Sequence, residues 1–496
     1  MCGIAGFCNF KEDFEENTDY WNFRLEKMRA VLAHRGNDAR GRFLKKHIGL
    51  SHSRLAIRDI LCGDQPMTRT HNGYDYTICY NGEIYNTDEL IPELSENGFV
   101  CSTTSDTEVI LYAYIHWGAD FVNRLNGIFA FAIWDAAKSR LLLYRDRVGV
   151  KPLFYAIRGD SLVFGSEPKA CFAHPAVKPE LDKQGLQELL AIGPAHTSGL
   201  SLFKDLFEVL PGHFMIYSRD GLHDETYWEL TSQEHTESYR DTVAHTRFLV
   251  EDAIKRQMVS DVPVCTFLSG GIDSSIVTAI AANYMNTRGK TLNTFSFDFK
   301  DNDRYFKANA FQPERDLPYV NRMLEEYETA HSYLECDENS LFKALFAAVD
   351  AKDMPGMTDV DSSLLYFCSL VSRKNKVALT GECADEIFGG YPWFYRKELL
   401  ERYGFPWSSD VAPRLALLRD DVSLELDLSG YQAFRYEESR SKAPLLYGET
   451  GEDESRRIIG YLNIKWFMQT LLDRMDRTSM YSELEARVPF ADHRII

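Results

Sequence analysis

A cysteine stands second in the chain, in the opening stretch MCGIAGF. Once Met1 is removed, Cys2 would carry a thiol nucleophile and a free α-amine on the same residue. An α-amine titrates at a pKa of about 7.7–8.0, so it can take the proton of the thiol and activate it for attack. Most free cysteines in apolar strands are instead inert small hydrophobes, and the rest of the chain has to decide between the two interpretations.

The stretch FLSGGIDSS, residues 267–275, lies between a continuous apolar run and a helical pattern. Gly270 and Gly271 let backbone amides approach an anion closely, and the N-terminus of the following helix favours phosphate. The hydroxyl groups that add donors are those of Ser269, Ser274 and Ser275. No lysine follows the glycines, so this is not a Walker loop. Asp273 would repel a phosphate unless Mg²⁺ lay between them, so the stretch predicts a loop that binds nucleotide phosphates together with Mg²⁺.

A second acidic loop, TGECADEIFGGY at 380–391, follows the apolar run KVALT. In an open parallel sheet, ligands bind at the carboxyl ends of the strands, so we expect the two loops to lie side by side. Asp385 would then join Asp273 on Mg²⁺, and Glu382 would be left for proton transfer. The alternative is a solvated acidic turn, and the accompanying SGGIDSS loop argues against it.

The elements that must position these residues change character after residue 228. Up to there, NGIFAFAIWDAAKSRLLLYRD predicts two strands joined by a polar turn, and LPGHFMIYSRDGLHDETYW predicts a last hairpin. SDTEVILYAYIHWG predicts a helix capped by Ser105 or Asp106 and ended by Gly118. After the polar stretch 229–242, apolar runs such as VPVCTFL alternate with helical patterns such as SSIVTAIAANYM, which predicts a parallel α/β sheet.

Length and composition narrow the class of protein. At 496 residues the chain exceeds the size of a single core, so we expect two domains. A net charge of −19 argues against nucleic-acid binding, which needs basic surfaces. No apolar run is long enough to span a membrane, and the acidic NFKEDFEEN argues against a signal peptide. Ten cysteines without CxxC pairs indicate reduced thiols, so we expect a cytoplasmic protein.

Several motifs occur together in one order: CGIAGF, HRGNDARG, SHSRLAI, NGEIYN, SDTEVIL and GSEPKA, then SGGIDSS, TGECADEIFGGY and EARVPFADHR. In these motifs and their spacing, the chain resembles the glutamine-hydrolysing asparagine synthetase family along nearly its whole length. The resemblance implies an α+β N-terminal nucleophile hydrolase sandwich, with two β-sheets between helices, as a glutaminase domain over 2–218. A linker over 219–240 and an α/β parallel-sheet ATP-pyrophosphatase domain over 241–496 would follow.

The resemblance implies a role for each matching residue of the first domain. Cys2 attacks the side-chain amide of glutamine, and the amide of Asn81 and the N–H of Gly82 form the oxyanion hole. Arg54 forks onto the α-carboxylate of glutamine, which suits its planar donors. The other residues implied in glutamine binding are Leu55, Ala56, Ile57, Arg58, Glu83 and Asp106.

In the second domain, the resemblance implies that backbone groups frame the adenosine of ATP and that Glu382 acts on the acyl-adenylate and on ammonia. The residues that frame the adenosine are Phe267, Phe297, Thr380 and Gly381. ATP is then a co-substrate with Mg²⁺: aspartate would become β-aspartyl-AMP with release of pyrophosphate, and ammonia from glutamine would displace AMP to give asparagine. The partners implied are small molecules, and a homodimer is one candidate assembly.

Three other functions are weighed against this one. An amidotransferase of the same architecture could act on another carboxylate in peptide, polysaccharide or secondary-metabolite synthesis, and the acceptor pocket is not legible from the sequence. A ring-closing synthetase with a relic first domain would lack Cys2, Arg54, Asn81 and Asp106, all of which are present. A phosphoribosyl-transferring amidotransferase would lack SGGIDSS.

Three positions depart from the family pattern. Asn37 stands in place of a common proline. Cys383 stands in place of a common glycine, so a positive φ is not expected there. The chain stops at FADHRII, before the lysine that completes the family's synthetase site. We therefore expect the second domain to be incomplete at its C-terminus.

Overall fold

The computed structural model describes residues 2–308, 314–408 and 410–496. The strands within these ranges form two antiparallel six-stranded sheets and one parallel five-stranded sheet. The antiparallel sheets contain β1 (Cys2–Asn9), β2 (Ala39–Lys45), β3 (Ile48–Arg54), β4 (Met67–His71), β5 (Tyr74–Ile84), β6 (Gly127–Asp135), β7 (Arg140–Arg145), β8 (Phe154–Arg158), β9 (Ser161–Gly165), β10 (Phe207–Glu208), β11 (His213–Ser218) and β12 (Gly221–Thr226). The parallel sheet contains β13 (Val264–Phe267), β14 (Leu292–Phe299), β15 (Thr329–Cys336), β16 (Val377–Leu379) and β17 (Glu485–Arg487).

The helices of the described ranges flank the sheets or pack against one another. They are α1 (Thr18–Ala30), α2 (Thr87–Glu96), α3 (Asp106–Trp117), α4 (Pro168–Phe172), α5 (Lys183–Gln187), α6 (Tyr239–Arg256), α7 (Ile272–Asn286), α8 (Asn302–Tyr305), α9 (Leu317–Glu326), α10 (Glu338–Lys352), α11 (Thr358–Val371), α12 (Ala384–Phe388), α13 (Lys397–Leu400), α14 (Ala412–Leu415), α15 (Asp420–Leu426), α16 (Leu428–Ser441), α17 (Glu452–Leu462) and α18 (Met468–Met480). A π-helical turn, Asn463–Phe467, joins α17 to α18.

The strand that carries Cys2 lies inside the first sheet, whose order is β10-β8-β9-β1-β3-β2. Successive side chains of a strand point to opposite faces. Ile4 and Cys8 pack towards the second sheet, whereas Ala5 and Phe7 pack with residues of α1. Because both faces of β1 are buried, its sequence is a continuous apolar run rather than an alternating one.

The second sheet, in the order β12-β11-β7-β6-β5-β4, packs one face on the first sheet and the other on α2 and α3. The helix α3 begins after Ser105, whose hydroxyl accepts the N–H of Thr107, and it ends at Gly118, as predicted. The predicted hairpins also form, as β6–β7 and β11–β12. The result is a layer order of helix, sheet, sheet and helix, which confirms the predicted sandwich.

The parallel sheet has the order β15-β14-β13-β16-β17. The strands β13 and β16 are neighbours, so the loops that follow their carboxyl ends lie side by side. These are the predicted nucleotide loop and the predicted acidic loop. The α/β prediction for the second part of the chain is confirmed.

The two parts of the chain share one apolar core. Leu55 and Ile57, which follow β3, belong to the same cluster as Met468 and Leu472 of α18. The predicted domain limits stay a prediction, to which the structure adds one detail. The strand β12 lies inside the 219–240 segment and pairs with β11, so the part without helix or strand runs over 227–238. None of the helices in the described ranges has the length and apolarity needed to cross a membrane.

Candidate active sites

The candidate nucleophile lies at the start of β1, where Cys2 is 7% exposed. Its backbone nitrogen donates to Oδ1 of Asn81 over 2.9 Å, and its carbonyl oxygen accepts from Nε of Arg35 over 3.1 Å. Burial raises the pKa of the thiol, and the Leu55 N–H and the Arg54 guanidinium oppose that effect only in part. The thiol therefore needs a base to become a nucleophile.

Asn81 supplies a donor that nothing else uses. Its side chain is fully buried, and within the described part of the chain its Nδ2 has no hydrogen-bond partner. Buried polar atoms are almost always paired, so a free donor beside Cys2 points to a ligand atom that it binds. At Gly82 a Cβ atom would lie 2.2 Å from the carbonyl oxygen of Ile128, so only glycine fits there. The structure thus brings Cys2, Asn81 and Gly82 together.

Arg54 lies beside Cys2, but its guanidinium already has partners. Its Nη1 donates to the carbonyl of Ile60 and to Asp64, and its Nη2 donates to the carbonyl of Asp59 over 2.6 Å. In this conformation the 58–64 loop therefore occupies both Nη groups, and they are not free for the predicted bidentate contact with a glutamine carboxylate. Leu55, Ala56 and Ile57, which were predicted to line this wall, are buried in the segment after β3.

The acidic residues predicted for this site lie close together. Asp106 accepts the Tyr80 hydroxyl over 2.8 Å and the Ile84 N–H over 3.0 Å. Glu83 forms an ion pair with Arg58 at 3.2 Å. Burial and the Asp106 carboxylate raise the pKa of Glu83 to about 8. An ammonium group bound beside Glu83 would favour its ionised form and lower this pKa.

Sequence reasoning missed two charged residues that the second domain places beside this site. Arg487 on β17 lies 3.4 Å from Glu83 and also binds Glu485, and both β17 side chains are fully buried. The Glu485 carboxylate acts to raise the pKa of Cys2. The available signal was the motif EARVPFADHR itself, in which opposite charges occupy alternate positions of an apolar strand.

The second candidate site begins at the loop after β13. The hydroxyl groups of Ser269 and Ser274 lie 3.0 Å apart. Gly270 has a φ of +86°, and a Cβ there would lie 2.8 Å from the carbonyl oxygen of Asp316. A Cβ at Gly381 would lie 2.9 Å from the Ser274 nitrogen, so the acidic loop touches the start of α7. Glycine at these positions allows the two loops to pack closely.

A cavity of about 450 Å³ opens between these loops and α18. The predicted residues that line it are Phe267, Ser269, Gly271, Asp273, Ser274, Thr380, Gly381, Glu382 and Asp385. Phe297 lines an adjoining cavity of about 580 Å³, which shares Ser269. Gly270 and Ser275 line neither of the two cavities. The structure therefore places most of the predicted ATP-binding residues around one space.

Asp273 and Asp385 meet the requirements of a Mg²⁺ site that is shared with phosphates. Burial and the nearby Asp385 and Glu382 carboxylates raise the pKa of Asp273 to about 6, and burial raises the pKa of Asp385. Neither carboxylate has an ion-pair partner in the described ranges. No group of three or more metal-ligating side chains occurs in those ranges either. Mg²⁺ is commonly held by one or two carboxylates plus substrate phosphates, so the two aspartates fit this ion.

Two further residues of this cavity escaped the sequence analysis. Arg474 on α18 donates to Glu382 over 3.1 Å, so the predicted proton-transfer group is ion-paired in this state. Glu386 accepts the Tyr391 hydroxyl over 2.6 Å, and burial raises its pKa to about 7. The spacing in CADEIF placed Glu386 near Asp385, but no pattern pointed to Arg474.

The expectation for Cys383 is wrong. This residue has a φ of +77°, the left-handed conformation from which α12 starts. A non-glycine residue in this region costs about 1–2 kcal/mol. The Cys383 side chain is 1% exposed and packs in the apolar core shared by both domains, which offsets that cost. Tertiary packing therefore overrides the preference expected from residue type.

Two family models match separate parts of this chain. A model of the glutamine amidotransferase domain matches residues 1–228, and a model of asparagine synthase matches residues 245–496. The chain is 48% identical to the asparagine synthetase [glutamine-hydrolyzing] 3 of Bacillus subtilis, over 100% of this chain and 80% of that protein. It is 30% identical to the amidase chyE of Penicillium rubens, over 94% of this chain and 68% of that protein.

A solved structure of glutamine phosphoribosylpyrophosphate amidotransferase from Bacillus subtilis is 16% identical, with a TM-score of 0.35, over 67% of this chain and 81% of that one. The resemblance drawn from the motifs is confirmed by the matches to both domain models and by the full-length match to the asparagine synthetase. The chain therefore belongs to the glutamine-hydrolysing asparagine synthetase family.

Proposed function

We propose that this chain is a glutamine-dependent asparagine synthetase, which releases ammonia from glutamine, activates aspartate with ATP and aminates the activated carboxylate. The observation that carries the proposal is the combination of two sites in one chain. One holds Cys2 beside Asn81, whose Nδ2 has no hydrogen-bond partner in the described part of the chain. The other is a cavity lined by the SGGIDSS loop and four carboxylates, Asp273, Glu382, Asp385 and Glu386.

At the first site, the α-amine of Cys2, freed by removal of Met1, takes the proton of its own thiol. The sulfur then attacks the side-chain carbonyl carbon of glutamine, and Nδ2 of Asn81 and the Gly82 N–H stabilise the oxyanion. The ammonium form of the amine returns its proton to the leaving nitrogen, so ammonia and a thioester result. Water, activated by the same amine, hydrolyses the thioester to glutamate. The bond from the Cys2 nitrogen to Oδ1 of Asn81 supports this assignment, because it leaves Nδ2 for the oxyanion.

Recognition of glutamine rests on charges at both ends of the pocket. Glu83 and Asp106 would hold the α-ammonium, whose positive charge would favour the ionised form of Glu83, a group with a pKa raised by burial and by Asp106. Arg54 would bind the α-carboxylate. Its ion pair to Asp64 is a weak competitor, because the Asp64 side chain is 76% exposed and exposed ion pairs contribute about 0–1 kcal/mol. The carbonyl oxygens of Asp59 and Ile60 would also have to release its Nη groups. The wall from Leu55 to Arg58 would complete the pocket.

At the second site, the serines and backbone amides of the loop that follows β13 would hold the phosphates of ATP. Phe267, Phe297, Thr380 and Gly381 would frame the adenosine. The β-carboxylate of aspartate attacks the α-phosphorus, and pyrophosphate leaves. Asp273 and Asp385 would hold Mg²⁺, which when bound supplies positive charge to the phosphates. Ammonia then attacks the acyl carbon, Glu382 takes a proton from it, and AMP leaves.

Neutral ammonia joins the two half-reactions, because it is released at the first site and attacks the acyl carbon at the second. The apolar core shared by both domains includes Leu55 and Ile57 from the wall of the first site and Cys383 and Ala384 from the loop of the second. The two sites therefore border the same apolar core. All ten cysteines are free thiols, which supports a place of action in the reducing cytoplasm.

The test is the release of pyrophosphate from ATP by the protein with a complete synthetase domain, in the presence of Mg²⁺, a panel of carboxylic acids, and either glutamine or ammonium as nitrogen donor. We expect pyrophosphate and AMP to form with aspartate in preference to the other acids. With glutamine, equal amounts of asparagine and pyrophosphate should appear. A clear preference for another acid would show that the acceptor is not aspartate, and a chain that uses ammonium but not glutamine would contradict the role of Cys2.

A further inference from the structure

One carboxylate of the second domain is buried against two cations of the first. Asp476 on α18 is 2% exposed and lies 2.8 Å from Nη2 of Arg35 and 2.9 Å from Nζ of Lys151. Both cations are fully buried. Burial alone would raise the pKa of Asp476, but Arg35 and Lys151 hold it below its ordinary value. The carboxylate therefore stays ionised, as a fixed partner of both cations.

Arg35 is the residue through which this carboxylate reaches the nucleophile. Its Nη2 binds Asp476, its Nη1 binds Glu167 over 2.8 Å, and its Nε donates to the Cys2 carbonyl oxygen over 3.1 Å. A guanidinium is planar and rigid, so the two carboxylates that grip its Nη groups also set the direction of Nε. The orientation of the Arg35 guanidinium, which binds the Cys2 carbonyl oxygen, therefore depends on Asp476.

The same turn of α18 contacts the other cavity. Arg474, two residues before Asp476, donates to Glu382 of the acidic loop over 3.1 Å. The backbone of this turn is held in place because the Thr478 hydroxyl bonds the Arg474 carbonyl. One helical turn thus contacts Glu382 through Arg474 and contacts Arg35, which binds the Cys2 carbonyl, through Asp476.

We propose that Asp476 is a positioning residue for the glutaminase reaction, which orients Cys2 through Arg35, and that the 474–476 turn links the occupancy of the synthetase cavity to the orientation of Cys2. The inference rests on the proposed function. Because Asp476 touches neither glutamine nor Cys2, its loss should lower the rate of attack and leave glutamine binding unchanged. A misplacement of reacting groups by about 1 Å costs about 100-fold in rate.

The experiment compares Asp476→Asn with Asp473→Asn in the full chain. Asp473 is the control, because it is one turn away on the same helix and its cations, Lys352 at 3.7 Å and Arg477 at 3.9 Å, both belong to the second domain. It reaches Arg35 only through Arg477 and Glu167, which lie 3.5 Å apart, whereas Asp476 binds Arg35 directly. We expect Asp476→Asn to lower the glutaminase kcat by about 10-fold to 100-fold, with an unchanged KM for glutamine and with ammonium-dependent synthesis retained. Addition of ATP, Mg²⁺ and aspartate should change the glutaminase rate of the wild type and of Asp473→Asn, and that response should be lost in Asp476→Asn.

A double variant guards against simple misfolding. Asp476→Asn leaves two buried cations with one fewer counter-charge, whereas Lys151→Met with Asp476→Asn removes one charge of each sign. The double variant should regain the wild-type melting temperature but keep the low glutaminase kcat.

If it regains both, Asp476 acts only through stability and the inference is overturned. The inference also fails if the wild type hydrolyses glutamine and Asp476→Asn matches Asp473→Asn in kcat and in its response to ATP. A wild type that does not hydrolyse glutamine at all overturns the proposed function itself.

Discussion

Replacing Asn81 with alanine separates the two half-reactions. The substitution removes the unpaired Nδ2 donor and also the Oδ1 that accepts the Cys2 nitrogen over 2.9 Å. Loss of one oxyanion donor costs about 10²–10³ in kcat, or about 2.7–4 kcal/mol of transition-state stabilisation. The Cys2 nitrogen is left buried without its acceptor, which costs about 1–3 kcal/mol of folding stability. We therefore expect a large loss of glutaminase kcat and a modest fall in the free energy of unfolding.

The assay measures glutamate from glutamine and asparagine from ammonium in parallel, with urea unfolding as the stability measurement. Asn86→Ala is the matched control, because Asn86 is 6% exposed in the same domain and its amide bonds the Arg124 carbonyl and the Asn126 nitrogen. This control should lose stability but keep its glutaminase kcat. If Asn81→Ala lost no more kcat than Asn86→Ala, the free amide would not be an oxyanion donor and the reasoning would fail.

Three further predictions test other parts of the structure. Cys2→Ala should abolish glutamine hydrolysis and keep ammonium-dependent synthesis, and glutamate formation at the wild-type rate would exclude Cys2 as the nucleophile. Asp273→Asn should lower pyrophosphate release at least about tenfold, because it removes one of two carboxylates available to Mg²⁺, while glutamine hydrolysis continues; undiminished pyrophosphate release would refute the metal assignment. Burial alone would lower the pKa of His196, but Glu208, 3.0 Å away, raises it to about 9. The ion pair therefore contributes fully below the unfolded pKa of about 6.5 and is lost as pH rises through about 9. The melting temperature of the wild type should fall more steeply over that range than that of His196→Gln, and parallel curves would contradict this.

Local chemistry was enough to predict the elements that carry the sites. Strand β13, the glycine–serine loop and helix α7 follow from an apolar run, two glycines and a helical pattern, and the cap at Ser105 and the end at Gly118 follow from residue type. These features depend on neighbours within a few residues, where turn and capping preferences act. The side-by-side placement of Asp273 and Asp385 also followed, because a parallel sheet brings the carboxyl ends of its strands to one edge.

Residue types and short patterns predict which residues are candidates for the chemistry and which strands and loops hold them, because that information is local. The connection between the two sites instead depends on packing between distant parts of the chain. Asp476 and Arg35 are 441 positions apart. The sequence around a charged helical residue does not indicate which distant residue it will pair with. The capture of Arg54 by the 58–64 loop, the approach of Arg487 to Glu83, and the positive φ of Cys383 are likewise set by packing. In each case the surrounding core fixes the partner or the conformation of the buried residue. For the charged residues the reason is that an unpaired buried charge costs more free energy than a local conformational preference.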